Sequence, residues 1–143
     1  SNGVPEVAET KWAGPAKEIK YGYAFFPPLK GVITDTFSVR NKHTAVDVVA
    51  YSNAAVKSTL DGTVILSSWT PETGHVMVVQ HADNLISVYK HNSVLLKEQG
   101  AHVSAGEVIA LVGNSGELTS GPHLHFELWQ NGRAVNPEDY IKF

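Results

Sequence analysis

Cysteine is absent from the 143 residues of this chain, and its absence restricts the chemistry that the protein can support. Without thiols there is no disulfide framework, and a metal cannot be held by thiolates. The side chains that remain for holding a transition metal are imidazole and carboxylate, supplied here by 7 His and 14 Asp and Glu residues. Any metal site must therefore be built from histidine and acidic residues.

Long basic runs and long apolar runs are also absent. Lys and Arg total 11 against 14 acidic residues, so the formal charge is -3 and nucleic acid is not expected as a partner. No apolar run approaches the roughly 20 residues of a membrane helix, so membrane attachment is expected only through a segment outside this chain. No signal peptide opens the sequence, and any targeting segment is expected to have been removed.

The composition, 43% hydrophobic and 17% charged, predicts one folded domain. Residues 1–28 lack sustained periodicity and are interpreted as a proline-rich N-terminal arm or linker, while residues 29–143 are expected to form the domain. Four of the seven prolines lie in this arm: Pro5, Pro15, Pro27 and Pro28.

The domain is predicted to be all-β and mainly antiparallel, because short alternating segments are separated by turn signals such as Asn131-Gly132. Helix formers concentrate only in residues 93–99, where a short helical turn is expected before Gly100. The predicted strands cover residues 45–50, 62–69, 75–81, 85–91, 107–112 and 123–129.

The last of these strands, GPHLHFELW (121–129), carries two histidines on one face. Alternate side chains of a strand point to opposite sides, so one face is apolar and the other is titratable and aromatic. The titratable face fits either an exposed strand surface or the floor of a site. It consists of His123, His125, Glu127 and Trp129.

A second pair, His43 and Asp47, is also separated by an even number of residues and would share one face of an extended chain. A helical zinc motif is rejected, because Thr44 stands where a general-base Glu would follow the first His. The β-branched residues around Asp47 also favour strand over helix. Neither pair is specific by itself, but together they are informative.

Two imidazoles and one carboxylate from these motifs make a three-ligand set suited to a catalytic Zn²⁺ ion. Structural zinc sites normally fill all four tetrahedral positions with protein ligands, whereas catalytic sites leave one position for water. The donor set therefore predicts catalysis rather than structural support.

Four segments in this order resemble the lysostaphin-type zinc peptidoglycan endopeptidases, from about Gly31 to Pro137. The segments are HTAVD (43–47), VYKH (88–91), VSAGEVIALVGNSG (103–116) and SGPHLHFELWQNG (120–132), followed by VNP (135–137). The resemblance implies a compact β-sandwich or barrel-like domain with a narrow active-site groove. It also implies cleavage of peptide bonds in bacterial cell-wall cross-links.

Residue by residue, the resemblance implies one zinc ion per chain, held by His43, Asp47 and His125. It implies that His91 and His123 are catalytic histidines that do not bind the metal. The expected partner is peptidoglycan, through its stem peptides or cross-bridges, and the expected location is the bacterial cell envelope, periplasmic or extracellular. The protein is expected to be a monomer.

The chain also departs from the usual pattern of this family. Ala45 replaces a glycine two residues after the first ligand, residues 53–56 read Asn-Ala-Ala-Val instead of Gly-Thr-Pro-Val, and Asn92 replaces a leucine after the catalytic His91. The glycine-rich loop is reduced to Thr-Gly-His at residues 73–75. These differences bear on substrate preference more than on the chemistry, because all five chemical positions are present.

Four other polar residues are candidates for supporting or structural roles. Glu127 fits either a hydrogen-bond acceptor behind the metal ligands or a surface carboxylate, and His75 fits either a groove residue or a surface residue. His81 is interpreted as a hydrogen-bonding turn residue, and His102 is expected to be solvated.

Two other functions remain open from sequence. A catalytically silent cell-wall-binding or regulatory module of the same fold would bind peptidoglycan without cleaving it. A histidine phosphocarrier domain would pass a phosphoryl group between facing histidines, although Asp47 has no evident use there.

Overall fold

A computed structural model describes residues 19–20, 22–116 and 121–143. It is built almost entirely from antiparallel strands, which confirms the predicted all-β class. The elements are β1 (Ile19–Lys20), β2 (Tyr23–Ala24), β3 (Val32–Asp35), β4 (Val46–Val49), β5 (Ala55–Lys57), β6 (Gly62–Thr70), β7 (Gly74–Gln80), β8 (Leu85–Leu95), β9 (His102–Val103), β10 (Val108–Val112), β11 (His123–Gln130), β12 (Arg133–Val135) and a 3₁₀ turn (Pro137–Asp139).

One ten-stranded sheet carries the fold, and β1 and β2 form a separate hairpin. Its main path runs β3-β4-β11-β8-β7-β6-β9, with β12 added beside β11. The long strand β8 has two sets of neighbours: its first part pairs with β7 and β11, and its last part pairs with β10, which in turn pairs with β5. Strand β8 therefore links both groups of strands within one sheet.

The alternation in β11 separates the core from the site. Leu124, Phe126 and Leu128 are fully buried, and the rings of Phe126 and Tyr89 meet edge to face with centroids 5.3 Å apart. The opposite face of β11 carries the histidines, and its neighbour β4 repeats the pattern with Val46 and Val48 buried. The apolar face therefore fixes the direction in which the titratable face points.

All six predicted strands are present, and the predicted Asn131-Gly132 turn joins β11 to β12 with positive φ at both residues. The expected helical turn at residues 93–99 is wrong, because Ser93–Leu95 continue β8 and pair with β10. Pairing with a neighbouring strand overrides local helix propensity there. No helix in the described part of the chain is long and apolar enough to span a membrane.

The packed core includes Phe25, which lies within the predicted N-terminal arm. Phe25 is fully buried, and its ring lies 5.7 Å from that of Tyr140. The carbonyl of Phe26 accepts a hydrogen bond from the Thr59 hydroxyl at 2.8 Å. Most of the arm, residues 1–18, lies outside the described residues, so its role as a linker stays a prediction.

Candidate metal centre

The structure brings together His43, Asp47 and His125, the three residues predicted as metal ligands. Asp47 in β4 lies directly opposite His125 in β11. His43 lies in the segment between β3 and β4, where it forms an isolated bridge with Ser38. One donor atom from each residue lies within 4.8 Å of the other two. Asp47 places one carboxylate oxygen 3.2 Å from His43 Nε2 and the other 3.1 Å from His125 Nδ1.

A hydrogen bond to the backbone determines which ring nitrogen of His43 carries a lone pair. Its Nδ1 lies 2.9 Å from the Thr36 carbonyl oxygen, and only a protonated nitrogen can donate to that acceptor. In the neutral ring Nε2 therefore carries a lone pair. This atom is buried without a hydrogen-bond partner and faces the carboxylates of Asp47 and Asp35, the latter at 3.5 Å. A lone pair facing two carboxylates suits a shared metal ion.

His125 lies between two carboxylates. Its Nδ1 faces Asp47, and its Nε2 lies 2.9 Å from Glu127 Oε2. Burial by itself would lower the pKa of His125, but the hydrogen bonds to Asp47 and Glu127 outweigh burial and raise the pKa. Burial of Asp47 would raise its pKa, but hydrogen bonding to His125 and the neighbouring histidines lower it.

Glu127 is a buried member of this network and not a surface carboxylate. It accepts from His125, from Lys90 Nζ at 2.9 Å and from Trp129 Nε1 at 2.9 Å. Burial acts to raise its pKa, but the three donors overcome burial and lower the pKa to about 2. A carboxylate behind a metal-binding imidazole orients the ring and increases its basicity. The geometry therefore favours the first of the two assignments left open by the sequence.

His91 and His123 lie beside this cluster. Their ring centroids are 5.1 Å apart, and the His91 ring lies 5.9 Å from that of His125. His91 Nδ1 is 2.7 Å from the Ser115 carbonyl, and His123 Nδ1 is 3.0 Å from the Gly121 carbonyl. Because Nδ1 donates in both neutral rings, Nε2 of each is the acceptor. Burial lowers the pKa of His91, which favours this neutral form.

His91 is oriented by an irregularity in β8. Its φ angle is +70°, and the register between β7 and β8 shifts at this point, as in a β-bulge. Fully buried Asn92 supports the bulge, because its side-chain amide donates to the carbonyls of His75 and Tyr89 at 2.9 and 3.0 Å. The departure from the family leucine is thus part of the support for His91.

A tight contact between two loops holds the acceptor of His91 in place. The Ser115 hydroxyl donates to the Asn92 carbonyl at 2.5 Å and accepts from the His75 amide at 3.2 Å. Gly74 has positive φ and lies so close to Ser115 that a Cβ atom there would collide with it. The loop at residues 114–116 therefore holds the carbonyl that orients the ring of His91.

The remaining histidines lie apart from the three-residue cluster. His81 is buried and hydrogen-bonded to the Asp61 carbonyl and the Ser87 hydroxyl, both at 2.7 Å, as predicted for a structural residue. His102 is exposed and lies 3.1 Å from the Thr63 hydroxyl. His75 is partly buried next to Asn92, and its place in a groove stays a prediction.

Sequence reasoning missed Asp35 and Lys90. Asp35 lies on β3, opposite Asp47, and Lys90 on β8 lies opposite His125. Both contacts depend on which strands are neighbours, and no spacing in the sequence contains that information. A cavity of about 340 Å³ opens beside the centre, lined in part by Asp47, Val49, Gly121 and His123.

Comparison with known proteins agrees with the family resemblance seen in the sequence. The profile of peptidase family M23 matches residues 41–137. The chain is 41% identical over 92 residues to the murein hydrolase activator EnvC of Escherichia coli, covering 64% of this chain and 22% of EnvC. It is 38% identical over 94 residues to the peptidoglycan DD-endopeptidase ShyA of Vibrio cholerae, covering 66% and 22%.

A solved structure of a zinc-containing peptidase from Vibrio cholerae matches with a TM-score of 0.72 and 32% identity. The match covers 80% of this chain and 40% of that one. The chain spans about a fifth of the length of the curated relatives EnvC and ShyA.

Proposed function

The chain belongs to peptidase family M23, and we propose that it is a zinc metalloendopeptidase that hydrolyses peptide bonds in peptidoglycan cross-links. The observation that carries the proposal is the convergence of His43, Asp47 and His125 around the unpartnered Nε2 of His43. The donor set of two imidazoles and one carboxylate fits a catalytic zinc ion with one position left open.

In this proposal His43 would bind zinc through Nε2 and His125 through Nδ1, while Asp47 neutralises part of the charge. A zinc ion held there supplies Lewis-acid activation of water and of the scissile carbonyl. Thr36 fixes the tautomer of His43, and Glu127 holds Nε2–H of His125 so that Nδ1 keeps its lone pair.

His91 and His123 would handle protons in the reaction. Each ring anchors Nδ1–H on a backbone carbonyl and keeps a basic Nε2, so one accepts a proton from the attacking water and the other hydrogen-bonds the substrate. The protonated ring can then deliver the proton to the leaving amine. The lowered pKa of His91 keeps this ring neutral, and able to accept a proton, near pH 7.

The proposed substrate is the stem peptide or cross-bridge of peptidoglycan, and the proposed location is the bacterial cell envelope. The protein is proposed to act as a monomer. The family assignment argues against the phosphocarrier alternative. A regulatory role is the second candidate, because EnvC is described as a murein hydrolase activator.

The decisive experiment separates these two functions. Zinc-loaded protein is incubated with defined cross-linked peptidoglycan fragments, and the products are identified by mass. Hydrolysis of a cross-link peptide bond by the wild type, and none by His125→Ala, is expected. If the zinc-loaded wild type cleaves nothing but increases cleavage by a separate peptidoglycan hydrolase, the regulatory function replaces the proposed one.

A further inference from the structure

Lys90 contacts the metal centre through one carboxylate oxygen. It lies on β8 directly opposite His125 on β11, so the two side chains are on the same face of the sheet. Lys90 Nζ lies 2.9 Å from Glu127 Oε2, and His125 Nε2 lies 2.9 Å from the same oxygen. Lys90 and the proposed zinc ligand His125 therefore share one acceptor atom.

The carboxylate of Glu127 has two anchors besides Lys90. Trp129 Nε1 donates to Glu127 Oε1 at 2.9 Å, and His125 Nε2 lies within hydrogen-bond distance of Oε2. An indole N–H is a directed donor, whereas the ammonium group of lysine is a compact point charge on a flexible chain. Trp129 and His125 therefore hold the carboxylate in position, and the main contribution of Lys90 is its positive charge.

The charge of Lys90 acts on an oxygen that water screens only in part. The side chain of Glu127 is 11% exposed, and that of Lys90 is 27% exposed. A carboxylate that accepts a hydrogen bond from a metal-binding imidazole raises the basicity of the ring. A cation on the same oxygen offsets part of this negative charge, so less electron density reaches Nδ1 of His125, the nitrogen that faces Asp47.

We propose that Lys90, acting through Glu127, limits the electron donation of His125 to the metal ion and so keeps the ion a strong Lewis acid. The inference rests on the proposed function for the identity of the metal and of the reaction. Weaker donation by His125 leaves more positive charge on a zinc ion, and this charge polarises the scissile carbonyl. The same effect weakens the hold on the ion, so Lys90 lowers the zinc affinity and raises the rate of hydrolysis.

The zinc affinity, measured by chelator competition, tests the inference without catalysis. Lys90→Met removes the charge and keeps an apolar chain of similar length, and it is expected to bind zinc about tenfold more tightly than the wild type. Lys90→Gln is expected to show the same increase. Lys90→Arg keeps the charge, so its zinc affinity should stay within about twofold of the wild type. Damage to the site would lower the affinity, so an increase identifies the effect of charge.

Two other variants serve as controls for the affinity measurement. Lys97 has a similarly exposed side chain, at 30%, and pairs with Glu107 instead of with a residue of the metal centre. Lys97→Met should therefore leave the zinc affinity unchanged. Trp129→Phe keeps an aromatic ring but removes the N–H that anchors Glu127, so it should lower the zinc affinity, opposite in sign to Lys90→Met.

The kinetics of cross-link hydrolysis provide the second measurement. Zinc-saturated Lys90→Met is expected to lose about tenfold in kcat and to keep KM within about twofold, because Lys90 acts through Glu127 and not on the substrate. An unchanged or lower zinc affinity in both Lys90→Met and Lys90→Gln would overturn the inference, and so would an unchanged kcat. If the zinc affinity rises but the zinc-loaded wild type cleaves nothing, the effect of Lys90 on the metal stands and the proposed function fails.

Discussion

At the residue scale, two histidines on the same face of β11 have different environments. His125 Nδ1 faces Asp47, whereas His123 Nδ1 is held by the Gly121 carbonyl and its ring packs beside His91. His91→Ala and His123→Ala are therefore expected to keep close to one zinc per chain and to lose about 10²- to 10⁴-fold in hydrolysis. His125→Ala should lose both. Elemental analysis and cross-link hydrolysis measure the two effects. Loss of zinc in His123→Ala but not in His125→Ala would reverse the assignment.

Glu127 contacts the proposed ligand His125 and is not itself a proposed ligand. Its carboxylate holds Nε2 of His125, and Lys90 and Trp129 hold the carboxylate. Glu127→Gln keeps the shape but loses the charge, so the zinc affinity should fall about 10- to 100-fold. Chelator competition measures the affinity. Glu107→Gln, which breaks an ion pair with Lys97 away from the centre, should leave the zinc affinity unchanged.

At the element scale, the bulge of β8 determines where His91 points. The side-chain amide of Asn92 donates hydrogen bonds to two carbonyls in this bulge. The substitution Asn92→Ala removes both hydrogen bonds. The free energy of unfolding should fall by about 1 to 3 kcal/mol, measured by urea denaturation. Hydrolysis should fall further than the loss of folded protein explains, because His91 loses its support. Unchanged stability would show that water replaces the amide.

The end of β7 carries a pH-sensitive contact, because burial lowers the pKa of His81 below its ordinary value of 6.5. As the pH falls below about 6.5, His81 becomes protonated in the unfolded chain but stays neutral in the folded protein. Proton binding therefore favours the unfolded state, and the stability that His81 contributes is lost as the pH falls toward its folded pKa. In metal-free protein the free energy of unfolding should therefore decline as the pH falls from about 6.5. His81→Gln should be less stable, with a smaller slope against pH in this range. An unchanged slope would assign the pH dependence to other groups.

At the scale of the whole molecule, the parts predicted from sequence are those with a local signal. Alternation revealed six strands, and even spacing singled out the pairs His43–Asp47 and His123–His125, whereas the choice of His125 as the ligand came from the family resemblance. Short edge strands such as β3 and β5 carry too few residues for a pattern. The change of neighbours along β8 and the contacts of Asp35 and Lys90 depend on pairing between distant segments, which periodicity does not encode. The helical prediction at residues 93–99 failed for the same reason.

The sequence predicts the boundary between arm and domain at residue 28, but Phe25, within the predicted arm, is buried in the core. The aperiodic sequence before residue 19 predicts that deleting residues 1–18 leaves zinc binding and the free energy of unfolding unchanged within about 0.5 kcal/mol.

Deleting residues 1–28 also removes Phe25, whose ring is buried against Tyr140. Loss of a buried phenylalanine side chain typically costs about 3 to 5 kcal/mol, so the shorter protein should be strongly destabilised. Phe25→Ala in the full chain isolates this effect and should reproduce most of it. Urea denaturation and zinc content measure both properties. If the chain lacking residues 1–28 is as stable as the full chain, the domain begins near Leu29 as the proline pattern predicts, and the packing of Phe25 contributes little.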